Sequence, residues 1–270
     1  MSATVDVPAQ LAAWRNETTS WSDGLALLMA SKTRARIELF DGEQLINGPE
    51  FALDALFPCF DRLHDGRWVV ANARCWVNEE NASIIAPNGE VLSRVCLGDA
   101  IAHLQCDGTD GIWVSYTDEG AGGIIRFRAD GTATRSPEQT LEIFDCYAMN
   151  VGGDGVWLYY YTEFPIAHVP FDGRPRVWTN ETVAGASIIA VEDDLVLLSG
   201  GYEEEADAGA LLRLDEDGHA ELLHRFRLDA ELTSALCNGQ AFARGRDVHF
   251  VDSNAWTVIS VRDFMNRLTP

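Results

Sequence analysis

The stretch Gly111-Ile112-Trp113-Val114-Ser115-Tyr116, continued through Ile124-Ile125-Arg126-Phe127 to Asp130-Gly131, is an apolar run, a loop, a second apolar run and a tight turn. Its layout recurs along the chain. Gly66-Arg67-Trp68-Val69 and Gly155-Val156-Trp157-Leu158 repeat the opening, each with a Trp two residues after a Gly that follows an Asp (Asp65, Asp110 and Asp154 in the three copies). Such starts read as strands launched from tight turns, with Gly supplying the positive φ that these turns often need. Weaker copies begin at Gly24, Asp194 and Asp247, so successive starts lie 42, 45, 44, 39 and 53 residues apart. A second turn signal follows five of them, at Asp41-Gly42, Asn88-Gly89, Asp130-Gly131, Asp172-Gly173 and Asp217-Gly218.

Two turn signals per period imply four short strands per unit. A period of about 40 to 50 residues built that way is the mark of a β-propeller blade. The expected fold is all-β, a six-bladed β-propeller of four-stranded antiparallel blades, with residues 1–270 forming a single domain. An all-β sandwich is the competing architecture, because sandwiches also alternate short strands with turns. Trp68, Trp113 and Trp157 stand at equivalent repeat positions and are expected to pack between blades. Residues 3–23 are expected to hold an innermost strand ending near Trp21. The last blade looks short, with strands at 248–251 and 256–261, and either residues 4–7 or residues 262–268 are expected to complete it.

No Pro-, Gly- or Ser-rich linker divides the chain, and 20 basic against 42 acidic residues leave a net charge of −22. That charge opposes binding to nucleic acid or to an anionic membrane and favours a basic partner. The N-terminus has neither a basic nor an apolar leader region, and no run approaches the roughly 18 apolar residues of a spanning helix, so a cytoplasmic protein is expected. Without secretion, the Asn-x-Ser/Thr strings at Asn16, Asn81 and Asn180 carry no weight. Six cysteines occur without a Cys-x-x-Cys pair, and Cys59, Cys106, Cys146 and Cys237 each precede a run start, where an innermost strand should lie. They read as small, free packing residues in a reducing compartment.

Thr109-Asp-Gly-Ile-Trp-Val114 and Gly153-Asp-Gly-Val-Trp-Leu158 resemble the Asp-x-x-Gly-x-[Ile/Leu]-Trp-[Val/Leu] blade signature of the regucalcin and gluconolactonase-like propellers and related repeat sensors. The resemblance implies a six-bladed ring. In gluconolactonases it would also imply lactone hydrolysis at a central divalent metal held by Glu, Asn and Asp. The early Glu-x-Pro-x-Trp element that would supply the first ligand is missing here, Glu17 is only a loose substitute, and the later elements find no joint counterpart. No cofactor and no metal are therefore expected, with a divalent metal in the central tunnel as the alternative.

Other motifs fail more plainly. Asp215-Glu-Asp217-Gly218 resembles part of a calcium loop, but Arg213 and His224 stand where an acid and a bidentate Glu are required. There is no His-Glu-x-x-His, no phosphate-cradling Gly-rich loop and no Gly-x-Ser-x-Gly elbow. His103 alone among the histidines falls on an expected innermost strand, where both a structural and a functional role stay open.

Binding is expected where loops vary, between the second and third strands of a blade. Those loops carry Trp76 with Glu79 and Glu80, Tyr116 with Asp118 and Glu119, Tyr161 with Glu163 and Phe164, and Tyr202 with Glu203, Glu204 and Glu205. Carboxylates beside aromatic faces suit a cationic guest, although loops of an acidic protein are acidic in any case. Two functions follow. The first is a non-enzymatic recognition protein whose loop face binds a basic protein, peptide or cationic small molecule, as an immunity or chaperone-like partner would. The alternative is a lactonase-like hydrolase or lyase at the tunnel mouth, drawing on Asn16, Glu17, His103, Asp145, Tyr147, Asn150 and Asn238.

Overall fold

The computed structural model describes residues 10–14, 24–30, 34–40, 45–53, 55–120, 122–135, 141–238, 241–251 and 256–268. They form six antiparallel sheets. The first holds β1 (Gln10–Trp14), β2 (Gly24–Ala30), β3 (Arg34–Phe40) and β4 (Leu45–Ala52); the second, β5 (Pro58–Arg62), β6 (Trp68–Asn72), β7 (Ala82–Ile85) and β8 (Val91–Val95). The third holds β9 (Ile101–Cys106), β10 (Ile112–Tyr116), β11 (Ile124–Phe127) and β12 (Ala133–Arg135); the fourth, β13 (Asp145–Val151), β14 (Gly155–Tyr161), β15 (Ile166–Pro170) and β16 (Arg176–Trp178). The fifth holds β17 (Ile188–Glu192), β18 (Leu195–Ser199), β19 (Ala208–Leu214) and β20 (Ala220–Arg227). In the sixth, helix α1 (Ala230–Cys237) precedes β21 (Ala241–Arg244), β22 (Asp247–Val251) and β23 (Trp256–Ser260), and α2 (Val261–Leu268) follows.

The sheets fall into two compact units, the first three in one and the last three in the other. Within each unit the opening strands of successive sheets lie side by side, β1 with β5 and β5 with β9, then β13 with β17 and β17 with β21. Each opening strand is thus the inner edge of its sheet, and the strands then run outward in sequence order.

Alternation of side chains along a strand explains why the second strands are apolar on both faces. Val69 and Ala71 pack with Ile112, Val114 and Tyr116 of the third sheet, while Trp68 and Val70 pack with Ala35, Ile37 and Phe51 of the first. In the fifth sheet Val196 and Leu198 meet Trp157 and Tyr159, whereas Leu195 and Leu197 meet Val248 and Phe250.

All three repeat Trp residues are buried, but they do not share one face. Trp157 points toward the following sheet, and Trp113 lies on the face of β10 away from the second sheet; Trp68 faces the preceding one. The turn explains the difference. Its closing hydrogen bond ends on Arg67, one residue before Trp68, but on Gly111 and Gly155, two residues before Trp113 and Trp157. A one-residue slip in a strand moves a side chain to the other face.

The turn before β10 is built on a buried carboxylate. Oδ1 of Asp107 accepts from the Thr109 N–H (2.8 Å), the Thr109 hydroxyl (2.8 Å) and the Gly111 N–H (2.9 Å). Oδ2 accepts from Trp113 Nε1 (2.9 Å) and Arg126 Nε (2.7 Å). Burial pushes the Asp107 carboxyl up, but the hydrogen bonds from Arg126, Gly111 and Thr109 outweigh it and hold the group below its usual range.

Polar side chains also tie inner strands together. Asp61 Oδ2 accepts from the Cys106 N–H (2.6 Å), joining β5 to β9. Asn150 donates to the carbonyls of Ile189 (2.8 Å) and Gly245 (2.7 Å) and accepts from the Gly245 N–H (2.7 Å), joining β13 to β17 and to the turn after β21. These bonds use both amide protons of the buried Asn150 side chain and make it a structural tie.

Two expectations near the C-terminus are corrected. Cys237 ends α1, exposed, and does not lie on an inner strand; Asn238, also exposed, caps that helix three residues before β21, the inner strand of its sheet. Asp229 nucleates that helix by accepting from the N–H groups of Glu231 and Leu232. Residues 262–268 form α2 and not a strand. Ser260 and Asp263 make a reciprocal cap, with the Asp263 N–H on Ser260 Oγ (3.1 Å) and the Ser260 N–H on Asp263 Oδ2 (3.3 Å), and Phe264 is buried. Residues 4–7, and the expected strand end near Trp21, lie outside the described residues. Cys59, Cys106 and Cys146 do sit on inner strands.

Candidate functional site

Tyr147 is the extra residue of a β-bulge: β13 pairs Cys146 with Tyr160 and Ala148 with Tyr159, leaving Tyr147 opposite nothing. A bulge bends its strand and re-aims a side chain. Here the ring comes to rest 5.3 Å from Phe164 of the β14–β15 loop and 6.0 Å from Tyr202 of the β18–β19 loop, edge-on to both. Phe164 also lies 5.5 Å from Tyr159, 5.8 Å from Tyr161 and 6.1 Å from Tyr202. Four of these rings keep contact with solvent, Tyr161 and Tyr202 being about half exposed (47% and 50%) and Tyr147 and Phe164 half-buried. Tyr159 forms the buried floor.

The loops are held where they are. Asn180 donates to the carbonyls of Phe164 and Val183 (2.9 Å each) and accepts from the Thr182 N–H (3.0 Å), while the Tyr159 hydroxyl donates to Val183 (2.6 Å). The Tyr202 ring lies over Gly185, whose φ is +75° and where an added Cβ would stand 2.8 Å from the ring. Glu163, Phe164 and Glu203 all adopt left-handed backbone conformations, uncommon outside Gly and concentrated at functional sites.

The Tyr202 and Tyr147 hydroxyls are 2.6 Å apart. Two phenols hold two protons and share one hydrogen bond, so one proton is left for a third acceptor. The hydrogen bond to Tyr202, then burial, then the charges of Tyr202, Asp145 and Tyr161 raise the Tyr147 pKa, which keeps this phenol protonated through neutral pH.

Two sets of sequence candidates therefore converge, Tyr147 and Asp145 from the inner strand with Tyr161, Phe164 and Tyr202 from the loops, while Glu163 and Glu203 are the exposed chain neighbours of Phe164 and Tyr202. Glu204 and Glu205 complete the exposed turn beside Tyr202. Trp76, Glu79, Glu80, Asp118 and Glu119 are exposed on loops of the other unit. Tyr116 is not a loop-face residue. It is buried in the core between the second and third sheets, and its hydroxyl donates to the Leu97 carbonyl at 2.5 Å. His103 lies on β9, with Nε2 enclosed and without a hydrogen-bond partner although the residue as a whole is half-buried; burial lowers its pKa to about 4, so the ring is neutral at pH 7. Asn16 and Glu17 lie outside the described residues. Among the described residues no three His, Cys, Asp or Glu side chains converge on a metal position.

The positions that sequence reasoning missed are Tyr159, Asn180 and Gly185. Asn180-Glu-Thr182 had a legible signal, since Asn two residues before an N–H it can accept from is an Asx turn.

A search of solved structures finds similar folds elsewhere. Virginiamycin B lyase from Staphylococcus aureus aligns over 96% of this chain and 87% of its own, at 14% identity and a TM-score of 0.56. The periplasmic gluconolactonase PpgL of Pseudomonas aeruginosa aligns over 94% of this chain and 81% of its own, at 12% identity and a TM-score of 0.57. The chain folds as a β-propeller. At these identities the likeness concerns the fold alone. The YxzG family model matches residues 122–205 of this propeller, the stretch that carries Tyr147, Tyr161, Phe164 and Tyr202. No curated protein matches the chain. Among the described residues no helix is long and apolar enough to cross a membrane.

Proposed function

We propose that this propeller acts on a small cationic molecule seated against the Tyr147, Tyr161, Phe164 and Tyr202 rings, as a hydrolase or lyase. The observation that carries the reading is the phenol pair, with one hydroxyl proton left over in a half-exposed aromatic cluster. Hydrolysis and elimination both need an oxygen of the substrate polarised or protonated. The Tyr147 phenol stays protonated at neutral pH and so offers a hydrogen-bond donor to an oxygen on which negative charge develops. Glu163 and Glu203, on the loops that bear the rings, favour a guest carrying positive charge, and a ring face adds about 0.5 to 1 kcal/mol at an exposed site. The fold neighbours, a lyase and a lactonase by their names, support a small substrate over a non-enzymatic receptor role for this cluster.

Calorimetry with homoserine lactone, an ammonium-bearing lactone, against neutral γ-butyrolactone tests the guest, and ring opening followed by proton release tests the chemistry. The ammonium lactone is expected to bind more tightly, with affinity falling in Tyr161→Ala and Tyr202→Ala. Tyr147→Phe is expected to keep binding and lose turnover. Equal binding of the two lactones removes the cation from the proposal, and unchanged turnover in Tyr147→Phe removes the phenol.

A further inference from the structure

We infer that the unit formed by the first three sheets carries a docking surface for a basic segment of a partner protein that also bears apolar side chains. Leu56 (86%), Phe57 (59%), Trp76 (84%) and Val77 (89%) are more exposed than any other large hydrophobic residue among those described. They sit on neighbouring segments. Phe57 accepts from the Ala73 N–H (2.8 Å) and donates to Asn72 Oδ1 (3.0 Å), which brings Leu56 and Phe57 beside the chain that leads to Trp76. Trp76 is three residues beyond Ala73, within about 10 Å along an extended chain.

The exposure belongs to a fixed turn. The Glu79 N–H donates to the Trp76 carbonyl (3.0 Å), the Trp76 N–H donates to Glu79 Oε2 (2.7 Å), and Asn78 takes the left-handed conformation that closes the turn. A monomer gains nothing by holding an indole and a valine outward on a closed turn. Preorganised, exposed aromatic and aliphatic side chains are what an interface anchor needs.

Charge selects the occupant. Residues 72–81 and 117–120 together with Asp99 contain five carboxylates, Glu79, Glu80, Asp99, Asp118 and Glu119, against one cation, Arg74. Arg74 is engaged by Glu119 and by Asp99, the latter at 3.3 Å. The patch therefore presents an apolar centre with a negative rim, complementary to Lys or Arg interleaved with apolar residues. A second copy of this chain fits poorly, since each carries a net charge of −22.

Selection of a random dodecapeptide library on the full chain tests this without assuming a sequence. Enriched peptides are expected to combine Lys or Arg with aromatic or aliphatic residues. They should bind Trp76→Ala/Val77→Ser at least about tenfold more weakly, and should bind Glu80→Lys/Asp118→Lys, which leaves the Glu79 hydrogen bond of the turn in place, more weakly with a shallower salt dependence. Equal reversals at the turn residues Asp130 and Asp172 should leave binding nearly unchanged, and thermal unfolding should match wild type for every variant. No enrichment, enriched peptides lacking basic residues, or equal binding to Trp76→Ala/Val77→Ser would overturn the inference. So would a wild-type dimer in sedimentation that this variant disperses, since the occupant would then be a second copy.

Discussion

Replacing Asp107 by Ala removes the acceptor for five hydrogen bonds at once, from two backbone N–H groups, the Thr109 hydroxyl, Trp113 Nε1 and Arg126 Nε. Breaking a buried ion pair by deleting one partner costs about 3–5 kcal/mol, because the remaining charge stays desolvated. The Arg126 side chain keeps 20% of its exposure, so water relieves part of that penalty and the lower end applies. About 3 kcal/mol in a domain of this size corresponds to a fall in Tm of roughly 6–12 °C. Removing the orphaned charge as well, in Asp107→Ala/Arg126→Met, is expected to destabilise less than the two single changes added together.

The pH dependence carries a sign. The folded-state pKa of Asp107 lies below its unfolded value. Its contribution is therefore fully present above the ordinary carboxylate range near 4 and is lost as pH falls through the folded value. The gap in Tm between wild type and Asp107→Ala should be widest near pH 7 and should close below about pH 4. Thermal unfolding followed by tryptophan fluorescence between pH 3 and pH 7 measures both quantities. A loss under about 1 kcal/mol at pH 7, or a gap that does not narrow in acid, would show that Arg126 and the turn are satisfied by water and that the carboxylate is not the keystone of this turn.

The other predictions concern the aromatic cluster and the thiols. Gly185→Ala places a Cβ against the Tyr202 ring and forces a non-Gly residue to positive φ, which costs about 1–2 kcal/mol for the conformation alone; chemical denaturation should show that loss, and affinity for the ammonium lactone should fall with it. Thiol labelling of the native protein at pH 8 should modify the exposed Cys237 first and the buried Cys106 and Cys146 last, with Cys59 slowed because burial raises its thiol to about 12; labelling Cys106 or Cys146 as fast as Cys237 would contradict their burial.

The repeat was legible because its punctuation is covalent in origin: Gly and Asp are needed at the turns whatever packs around them. Spacing carried more than was read from it. The last interval, 53 residues against 39 to 45 for the others, has room for an added element, and the eight-residue helix α1 occupies it. Ser260-x-x-Asp263 likewise announced α2, but a capping box is short and the expectation of a strand completing the last sheet overrode it. Faces were less legible than elements. Trp68 shares its string with Trp113 and Trp157 but not its side, because the closing hydrogen bond of the preceding turn falls one residue later relative to the Trp.

The same parity decides which aromatics reach the candidate site. Tyr116 stands three residues after Trp113 and so points to the opposite face, into the core against the second sheet. Tyr160 stands three after Trp157 and is buried as well; Tyr161, at four, lies beyond it at the loop edge, where Phe164 meets it. Reading Tyr116 and Tyr161 as equivalents because each precedes an acid merged two different registers. Tyr147 was named for its place near an inner strand, but its partners were not legible, since an alternating pattern assigns every residue of β13 to one of two faces and a bulge belongs to neither. The meeting of Tyr147 with Tyr202 joins residues 55 positions apart through a bulge and a loop, each a departure from regular alternation. In a site built on such departures the residues can be named from their loops and strands, but their meeting escapes periodic analysis, because it is set by breaks in the repeat, which the core does not require.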